Sequence, residues 1–202
     1  MAAIGMSGYL VKDAQAALFQ PDSATASSEF SGSYDIGNAI DGSGLPVGFT
    51  AADAHATYVA NNHWTTRNRE TVGEFADFFF DDPKAIGVFY LWNHRSNGVA
   101  SNDDYEVTKF DLAFYDSGDV LISELLGLTA LGETATAQVF SFPVMSDVQR
   151  VRFTIRETQQ QLQVPENSVQ YTGFGEVAFA VPEPASMSLL ALGGLLLGRR
   201  SR

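Results

Sequence analysis

Cysteine is absent from this 202-residue chain, and basic residues are half as frequent as acidic ones. Without thiols, the chain forms neither disulfide bonds nor cysteine-ligated metal sites. The 24 Asp and Glu residues outnumber the 12 Lys and Arg residues and give a formal net charge of −12. Because such a surface repels the phosphate backbone of DNA or RNA, we predict no nucleic-acid partner.

The common sequence signatures of catalysis are also missing. His55, His63 and His94 do not have the His-Glu-x-x-His spacing of zinc hydrolases, and the sequence has no Gly-x-Ser-x-Gly nucleophile elbow. A glycosidase needs two carboxylates that face a cleft. Among 24 acidic residues such a pair can always be chosen, so its presence is not evidence. We therefore predict that the protein is not an enzyme, with a glycan-active hydrolase as the less favoured alternative.

Short runs of alternating apolar and polar residues dominate the middle of the chain. In "VRFTIRE", Val151, Phe153 and Ile155 fall on one face and polar residues on the other, which is the pattern of a half-buried strand. "KFDLAFYD" has the same pattern, whereas "AIGVFYLW" is apolar on both faces and is predicted to be a central strand. Further short strands are predicted in "FADFFFD", "GDVLISE", "TAQVFSF" and "FGEVAFA".

Turn signals separate these runs, and the pattern as a whole predicts an all-β fold. Many short strands without alternating helices favour an antiparallel β-sandwich or jelly roll. The segment "LISELLGLTALGE" is also compatible with a helical turn, although Gly127 and Gly132 disfavour a long helix. Residues 21–181 are enough for one core and too few for two. The turn signals are Asp82-Pro83, Ser96-Asn97-Gly98, Ser117-Gly118-Asp119 and Pro165-Glu166-Asn167.

A short apolar segment near the C-terminus lies between Pro182-Glu183-Pro184 and an Arg-rich end. Residues 186–198 carry no charge, but about thirteen residues are too few for a membrane-spanning helix, which needs about 20. The prolines mark a boundary, and Arg199 and Arg200 are typical of a cytoplasmic membrane face. The segment is either a hydrophobic helix that docks on the fold or a sorting signal, and the order of its three parts favours the signal.

The tail, residues 182–202, resembles the PEP-CTERM sorting signal of Gram-negative bacteria. The resemblance implies export and transient insertion of a short C-terminal hydrophobic helix into the inner membrane. It also implies processing by an exosortase-type membrane protease close to the prolines, and delivery to the cell surface or the extracellular space. A further implication is a link to exopolysaccharide production and biofilm formation.

Export also predicts an N-terminal signal peptide, and residues 1–20 fit one only in part. They lack a basic start, and Lys12 and Asp13 interrupt the apolar residues, but "AQA" at 14–16 is similar to a cleavage site. This segment is therefore either the remnant of a signal peptide, with the true start codon upstream, or a frayed terminus.

Two motifs sharpen the prediction of the fold. "ATASSEFSGSYDIGNAIDG" at 24–42 and "HWTT" at 63–66 resemble the opening of discoidin-like domains, also called coagulation-factor type C or galactose-binding-like domains. "VQRVRFTIRE" and "TGFGEVAF" are similar to the last strands of that family. The resemblance implies a β-sandwich over residues 21–181 with Trp64 in its core. The chain departs from the family because it lacks a cysteine pair and has a long insert at 43–62.

Asp41 and Gly42, in "NAIDG", form a turn signal, and an Asp side chain in such a turn caps backbone N–H groups. A purely structural turn is one interpretation. The other is a calcium site, because Ca²⁺ binds carboxylate and carbonyl oxygens in compact loops. The family resemblance implies that this loop packs near the last strand, where Glu176 would add a second carboxylate to a structural Ca²⁺.

A polar loop follows the predicted central strand and carries the candidate ligand-binding residues Trp92, Asn93, His94 and Arg95. An aromatic face binds the apolar side of a sugar ring, while amide and guanidinium groups bind its hydroxyls. The alternative is that Trp92 is buried at the strand end and that the loop is ordinary solvated surface.

The sequence thus favours an exported, surface-associated, non-catalytic module that binds carbohydrate or exopolysaccharide. A neutral glycan is the better candidate, because the net charge of −12 repels an acidic one. A structural matrix protein without a defined ligand pocket is the main alternative. Exposure of an aromatic side chain beside polar groups distinguishes the two.

Overall fold

The computed structural model describes residues 17–99, 104–160 and 170–182. Most of the regular structure in these residues is β-strand. One short 3₁₀ helix is described, Ile36–Ala39, and the Asp35 carboxylate caps its start by accepting the Gly37 N–H. No described helix is long and apolar enough to cross a membrane. The strands are β1 Ser23–Ala26, β2 Trp64–Thr65, β3 Phe75–Asn93, β4 Val107–Tyr115, β5 Leu121–Thr129, β6 Gln138–Thr158 and β7 Gly173–Ala180.

Strands β3 and β6 form one long antiparallel ribbon that belongs to both layers of the fold. Their pairing runs from Phe75 opposite Thr154 to Leu91 opposite Gln138, and it is irregular between Phe79 and Val88. β1 and β4 extend the first half of the ribbon, and β5 follows β4. β7 and then β2 extend the second half. The sheet therefore bends at the irregular segment.

Aromatic contacts between the two halves show that they pack face to face. Phe89, in the second half of β3, has its ring centroid 5.8 Å from Phe110 and 6.1 Å from Phe153 in the other layer. Phe78 approaches Phe179 of β7 at 6.1 Å. Burying each such ring stabilises the fold by about 1.5–3 kcal/mol. The predicted antiparallel β-sandwich is confirmed, and its core contains the predicted inward residues Val151, Phe153 and Ile155, all fully buried.

The second half of β3 is apolar on both faces because both faces are covered. One face contributes Phe89 and Leu91 to the core between the layers. The other carries Val88, Tyr90 and Trp92, which pack against residues of the 43–62 insert, including Leu45 and Phe49. The insert therefore acts as an additional cover over the outer face of this layer.

Two local predictions were wrong. "LISELLGLTALGE" contains strand β5 rather than a helical turn, because pairing with β4 places Leu125 and Leu128 against the core. Gly127, at φ 66°, forms an irregularity in that strand, and its N–H binds the Asp111 carboxylate. Asp82-Pro83 is not a turn between separate strands, because it lies within β3 at the bend of the ribbon.

The sandwich has two different ends. At the corner end lie the bend of the ribbon, the turn after β4, and both ends of the domain: Phe19 pairs with Phe179, and Pro182 packs against Gly87. At the opposite end, here called the loop end, the connections 27–35, 57–63 and 66–74 meet the described residues 94–99 and 104–106. Backbone bonds such as Tyr58 N–H to Arg95 C=O join these segments.

Candidate functional site

Trp92 lies inside the fold. Its side chain has no exposed surface, its indole N–H donates to the Asp53 carbonyl at 2.9 Å, and Phe49 packs edge-on at 5.4 Å. A ring covered by the insert in this way cannot stack on a sugar. The structure therefore supports the alternative that Trp92 is a core residue, as Trp64 is, whose N–H donates to the Ser28 carbonyl at 3.1 Å.

Asn93 is a buried clamp between strands. Its amide nitrogen donates to the carbonyls of Val107 (2.8 Å) and Leu131 (2.9 Å), and its amide oxygen accepts from the N–H groups of His94 (2.9 Å) and Val107 (3.2 Å). These bonds satisfy the side chain within the protein. Burial therefore argues against direct ligand contact by Asn93, and equally by the fully buried His94.

Arg95 is the one partly exposed member of the predicted ligand set. One guanidinium nitrogen donates to the His55 carbonyl at 2.8 Å, which anchors the side chain at the loop end. The neighbouring Asn97 side chain donates to the Tyr58 carbonyl. Arg95 therefore keeps an oriented, partly solvent-facing guanidinium group, and its role in binding stays a prediction.

The three histidines, distant in sequence, meet in one buried cluster. The ring of His63 lies 4.9 Å from that of His55 and 5.4 Å from that of His94. The Nδ1 atom of His55 lies within hydrogen-bond distance of the Ala56 carbonyl, and that of His63 lies within hydrogen-bond distance of the Asn62 side-chain oxygen. The Nε2 atom of each of these two rings is buried without a hydrogen-bond partner. Burial lowers the pKa of His55 and, helped by the other two rings, lowers that of His63 further. These two rings are therefore neutral structural groups at neutral pH.

Asp41 and Glu176 come together as the resemblance implied. Gly42, directly after Asp41, donates its N–H to one Glu176 oxygen at 2.9 Å, and the Gln20 amide donates to the other at 2.9 Å. The Asp41 carboxylate accepts the Ser43 N–H at 2.7 Å. The predicted Asx-type capping and the predicted proximity of the two carboxylates thus coexist.

Glu176 is a fully buried acid without a described basic partner. Burial, with the nearby Asp41 charge as a smaller contribution, raises its pKa to about 9, against the lowering effect of the Gln20 and Gly42 bonds. Within the described residues, no group of three or more His, Cys, Asp or Glu side chains is placed to hold a metal. A cation here would therefore depend on two carboxylates and on neutral oxygens.

A second buried acid, Glu106, lies where β4 begins. It is 2% exposed, and one of its carboxylate oxygens has no hydrogen-bond partner. Burial raises its pKa to about 7, and the charges of Glu133 and Asp104 contribute in the same direction. Sequence patterns did not indicate this group, because its burial depends on the packing of the 130–137 connection over it.

An exposed aromatic surface at the loop end was not predicted from the sequence. Phe30 is 47% exposed, and its ring lies 5.6 Å from Tyr34 and 5.1 Å from Tyr171, which are both half-buried. Tyr34 stacks on Tyr58 at 5.2 Å with the planes 13° apart. We call Phe30, Tyr34 and Tyr171 the aromatic platform. Its signal in the sequence was "EFSGSY", in which aromatic residues alternate with small polar ones inside a connection.

A polar groove of about 450 Å³ lies beside the same connection. Its charged lining residues are Glu29 and Arg67, and Ser27, Ser28 and Ser31 supply hydroxyl groups. Glu29 is oriented by the Ile36 N–H at 3.0 Å, and Arg67 pairs with Glu70 on the surface. The loop end therefore combines exposed aromatic faces with hydroxyl, carboxylate and guanidinium groups.

The predicted sorting residues lie mostly outside the described residues. Pro182, which follows β7, is described and packs on Gly87 of β3. The structure does not describe Glu183, Pro184, Arg199, Arg200 or the predicted C-terminal helix. Residues 180–202 match the family model of the PEP-CTERM protein-sorting motif. This match confirms the resemblance of the tail, and the motif indicates export and surface sorting.

Comparison of the fold with solved structures gives carbohydrate-binding modules. The family 32 module of AlyQ, in complex with 4,5-unsaturated mannuronic acid, is 18% identical with a TM-score of 0.52, covering 80% of this chain and 96% of that one. The family 32 module of NanJ from C. perfringens, in complex with galactose, is 12% identical with a TM-score of 0.52, covering 78% and 91%. A pectin-binding module is 13% identical with a TM-score of 0.54, covering 82% and 94%.

These similarities concern architecture, since the identities are low and no curated protein matches the chain in sequence. They cover nearly the whole length of the compared modules, and they agree with the two-layer sheet built on the β3–β6 ribbon. The chain therefore combines a PEP-CTERM sorting motif at 180–202 with a discoidin-like β-sandwich of the kind found in family 32 carbohydrate-binding modules.

Proposed function

We propose that the protein is an exported, surface-associated module that binds a neutral glycan at its loop end without catalysing a reaction. The observation that carries the proposal is the aromatic platform beside the polar groove. Similar folds in complex with galactose and with an unsaturated mannuronic acid support carbohydrate as the ligand class.

The chemistry of the loop end suits a sugar. The exposed ring of Phe30 offers an apolar face, and partly exposed Tyr34 and Tyr171 extend it. The groove adds donors and acceptors in fixed positions, which orient hydroxyl groups. Arg95 accepts the backbone N–H of Tyr58, on whose ring Tyr34 stacks, and it offers a second guanidinium group. This revises the predicted site: Arg95 stays in it, whereas Trp92, Asn93 and His94 support it from inside.

The groove favours binding over hydrolysis. Hydrolysis of a glycosidic bond by the common mechanisms needs two carboxyl groups facing one cleft. Of the residues that line this groove, Glu29 alone carries a carboxylate. The buried acids Glu106 and Glu176 lie inside the fold. We therefore propose a non-catalytic role.

We further propose that Asp41 and Glu176 hold a structural Ca²⁺. The donor set fits: Ca²⁺ takes carboxylate and neutral oxygens, and a buried carboxylate with a raised pKa and no described basic partner is stabilised in its charged form by a cation. Bound Ca²⁺ would supply positive charge between the 41–43 turn and β7. The chain's own residues already align the site through the Gly42 and Gln20 bonds.

For the tail, we propose recognition by an exosortase-type membrane protease at Pro182–Glu183–Pro184, with Arg199 and Arg200 on the cytoplasmic side of the inner membrane of a Gram-negative bacterium. The motif match over 180–202 supports this proposal. The extracellular glycan or exopolysaccharide is then met after export, on the outer side of the cell.

A glycan array probed with the labelled full-length chain tests the binding proposal, and calorimetric titration with the strongest neutral ligand follows. Phe30→Ala should weaken binding at least about tenfold, a loss of about 1.4 kcal/mol, and Arg95→Ala should weaken it less. Val47→Ala, at an exposed residue of the insert, is the control and should bind like the parent. Equal binding by Phe30→Ala and the parent would contradict the platform as the site. No glycan bound by the parent would favour a structural matrix protein instead.

A further inference from the structure

Tyr58 joins the aromatic platform to the buried histidine cluster, which consists of His55, His63 and His94. The Tyr58 ring is itself buried, and Tyr34 of the platform stacks on it at 5.2 Å with the planes 13° apart. The same ring lies 5.2 Å from the His63 ring and 4.9 Å from the His94 ring. The position of Tyr34 therefore depends on Tyr58, whose ring in turn packs against two imidazoles.

The hydrogen bonds around His63 fix which of its ring nitrogens carries the proton. Its Nδ1 lies 2.6 Å from the Asn62 side-chain oxygen. That oxygen also accepts the Val59 N–H at 3.0 Å, and the Asn62 amide nitrogen donates to the Thr57 carbonyl at 3.0 Å. Because the Asn62 oxygen is an acceptor, the His63 Nδ1–H donates to it and Nε2 keeps its lone pair. This Nε2 atom is buried, and it has no hydrogen-bond partner among the described residues.

A second proton on the His63 ring would bind at Nε2 and would meet no acceptor within the described part of the chain. It would also place a charge on a ring without exposed surface, and burying an unpaired charge is costly. Burial lowers the pKa of His63 well below its ordinary value, and the neighbouring imidazoles of His94 and His55 lower it further. The closed loop end therefore excludes the charged form of His63.

The groups around His63 do not compensate for such a charge. The titratable groups that contact its ring are those of His55, His94 and Tyr58. Tyr105 packs on the last two of them, and the charges of Arg95 and Asp41 act on His55 in opposite directions. Within the described residues, the charges that act on His63 are those of the other two imidazoles, which repel a positive charge.

One side of the cluster is fixed, whereas the connection that carries His63 lies at the surface. The His55 ring lies against Gly44 and Gly175, where an added Cβ atom would come within 2.5 and 2.7 Å of its Cε1 atom. In the connection 57–63, residues 59–61 are exposed. Outward movement of this connection is therefore the route by which the His63 ring reaches water.

We propose that His63 is an acid-sensitive switch for the loop end. When the pH falls, uptake of a proton at Nε2 moves the ring out of the cluster into water, and the connection 57–63 opens with it. Tyr58 then no longer supports Tyr34, and the aromatic platform is lost. Where it concerns a ligand, this inference rests on the proposed glycan binding: the glycan is held at neutral pH and released in acid.

Proton linkage determines the direction and the steepness of the switch. In the open state the His63 ring is in water and has its ordinary pKa of 6.5, whereas the closed state takes up the proton only at a much lower pH. The closed state is therefore fully favoured above pH 6.5 and loses about tenfold relative to the open state with each pH unit below it. Because the glycan binds the closed state, its apparent affinity falls by the same factor once the open state predominates.

The chain has three histidines in all, and each lies in the cluster, so histidine-selective NMR observes the switch directly. In the full-length chain without a histidine tag, the His63 ring should be in the neutral Nδ1–H form at pH 7 and should become charged as the pH falls. The Tyr34 ring signals should move towards those of a solvated tyrosine over the same pH range, while circular dichroism stays that of a folded sandwich. Constant Tyr34 signals from pH 7 to pH 4.5, or loss of the whole fold together with the change at His63, would overturn the proposal.

An array of neutral glycans, probed with the full-length chain at pH 7 and at pH 4.5, tests the release of the ligand, since such glycans do not titrate. The parent should bind at least about tenfold more weakly at pH 4.5. In His63→Gln, whose side chain stays neutral, the ratio of the two affinities should be near one, and this ratio rather than the affinity at pH 7 is the readout. Glu106→Gln is the control, because it removes another buried titrating group and leaves His63 in place; its ratio should equal that of the parent.

A ratio near one in the parent, or the same ratio in the parent and in His63→Gln, would overturn the switch and leave the proposed glycan binding intact. A parent that binds no glycan at pH 7 would contradict the glycan binding, and the Tyr34 signals would then decide the switch by themselves. The same NMR titration of the parent decides it if His63→Gln does not fold.

Discussion

Two buried acidic side chains make the stability of this protein depend on pH. Glu106 and Glu176 are at most 2% exposed, and burial raises the pKa of each. A group in this state favours folding in its protonated form and opposes folding when ionised. His55 and His63 have the opposite effect on stability, because burial lowers their pKa. As the pH falls, these two side chains take up protons more readily in the unfolded state, so acid destabilises the fold through them. The net pH dependence of stability is therefore a balance, and single substitutions separate its parts.

Glu106→Gln should change the pH dependence of stability. The pKa of Glu106 rises from 4.5 to about 7 on folding, so between these values the folded state retains a proton that the unfolded state has lost. The contribution of Glu106 to stability is therefore full below pH 4.5, falls as the pH rises towards 7, and is then constant. Because the glutamine stays neutral, the variant should gain stability relative to the parent between pH 4 and pH 8, by up to about 3 kcal/mol.

Denaturant unfolding of Glu106→Gln and of the parent at several pH values measures this difference. Asp82→Asn, at an exposed residue at the bend of β3, is the control and should follow the parent at every pH. A constant difference between Glu106→Gln and the parent would show that Glu106 has no raised pKa in solution.

Removal of calcium should destabilise the parent protein. Saturating Ca²⁺ at about 100 times its dissociation constant contributes about 2.7 kcal/mol through mass action, so a chelator should lower the melting temperature. Asp41→Asn should remove this response, whereas Asp35→Asn, which keeps an acceptor at the cap of the nearby 3₁₀ turn, should retain it. Calcium affinity should rise with pH towards about 9, because the metal competes with the proton on Glu176. A parent that ignores the chelator would leave Asp41 as a turn residue.

At the scale of elements, the bent β3–β6 ribbon determines the positions of the other strands and of the connections between them. Because the bend brings its two halves face to face, β7 and β2 are placed opposite β1 and β4. The insert then covers the outer face of β3 and β7, which gives Trp92 its buried position. Side chains at the start of β4 and the end of β3, such as Glu106 and Asn93, are buried by the connections that meet there.

The tail should be separable from the sandwich. Deletion of residues 185–202 leaves Pro182 and its packing on Gly87 in place, and the prolines prevent the Leu-rich segment from continuing β7. Thermal stability of the shortened chain should therefore stay within about 0.5 kcal/mol of the parent, while its localisation in cells should change. A large loss of stability would show that the segment packs on the sandwich, and normal surface delivery would contradict the sorting role.

At the scale of the whole molecule, the start of the sorting tail and the proposed glycan-binding surface lie at opposite ends of the sandwich. The chain leaves the domain at the corner end, where Pro182 lies, and the aromatic platform lies at the opposite end. A domain held through its C-terminal tail would therefore present the loop end away from the point of attachment. The net charge of −12 repels acidic polymers, so the ligand that we propose for the platform is a neutral glycan.

The sequence by itself determined the strands and the tail. Alternation in "VRFTIRE" and the two-sided apolar run "AIGVFYLW" reflect local burial, and the confirmed sandwich follows from them. The sorting motif is read from the order of its parts, independently of folding, and it matched over 180–202. Asp41 and Glu176 were paired through family resemblance, and the structure joins the turn that contains Asp41 to Glu176 through the Gly42 N–H.

Tertiary structure alone decided which side chains face solvent at the loop end. The periodicity of a strand predicts which of its faces is covered, but it does not predict which segment covers that face. It therefore did not reveal that the insert encloses Trp92. Connections have no periodicity, so neither the exposure of Phe30 nor the convergence of His55, His63 and His94 was visible in the sequence. These features arise from contacts between segments far apart in the chain, which form only when the bent ribbon brings the connections to one end.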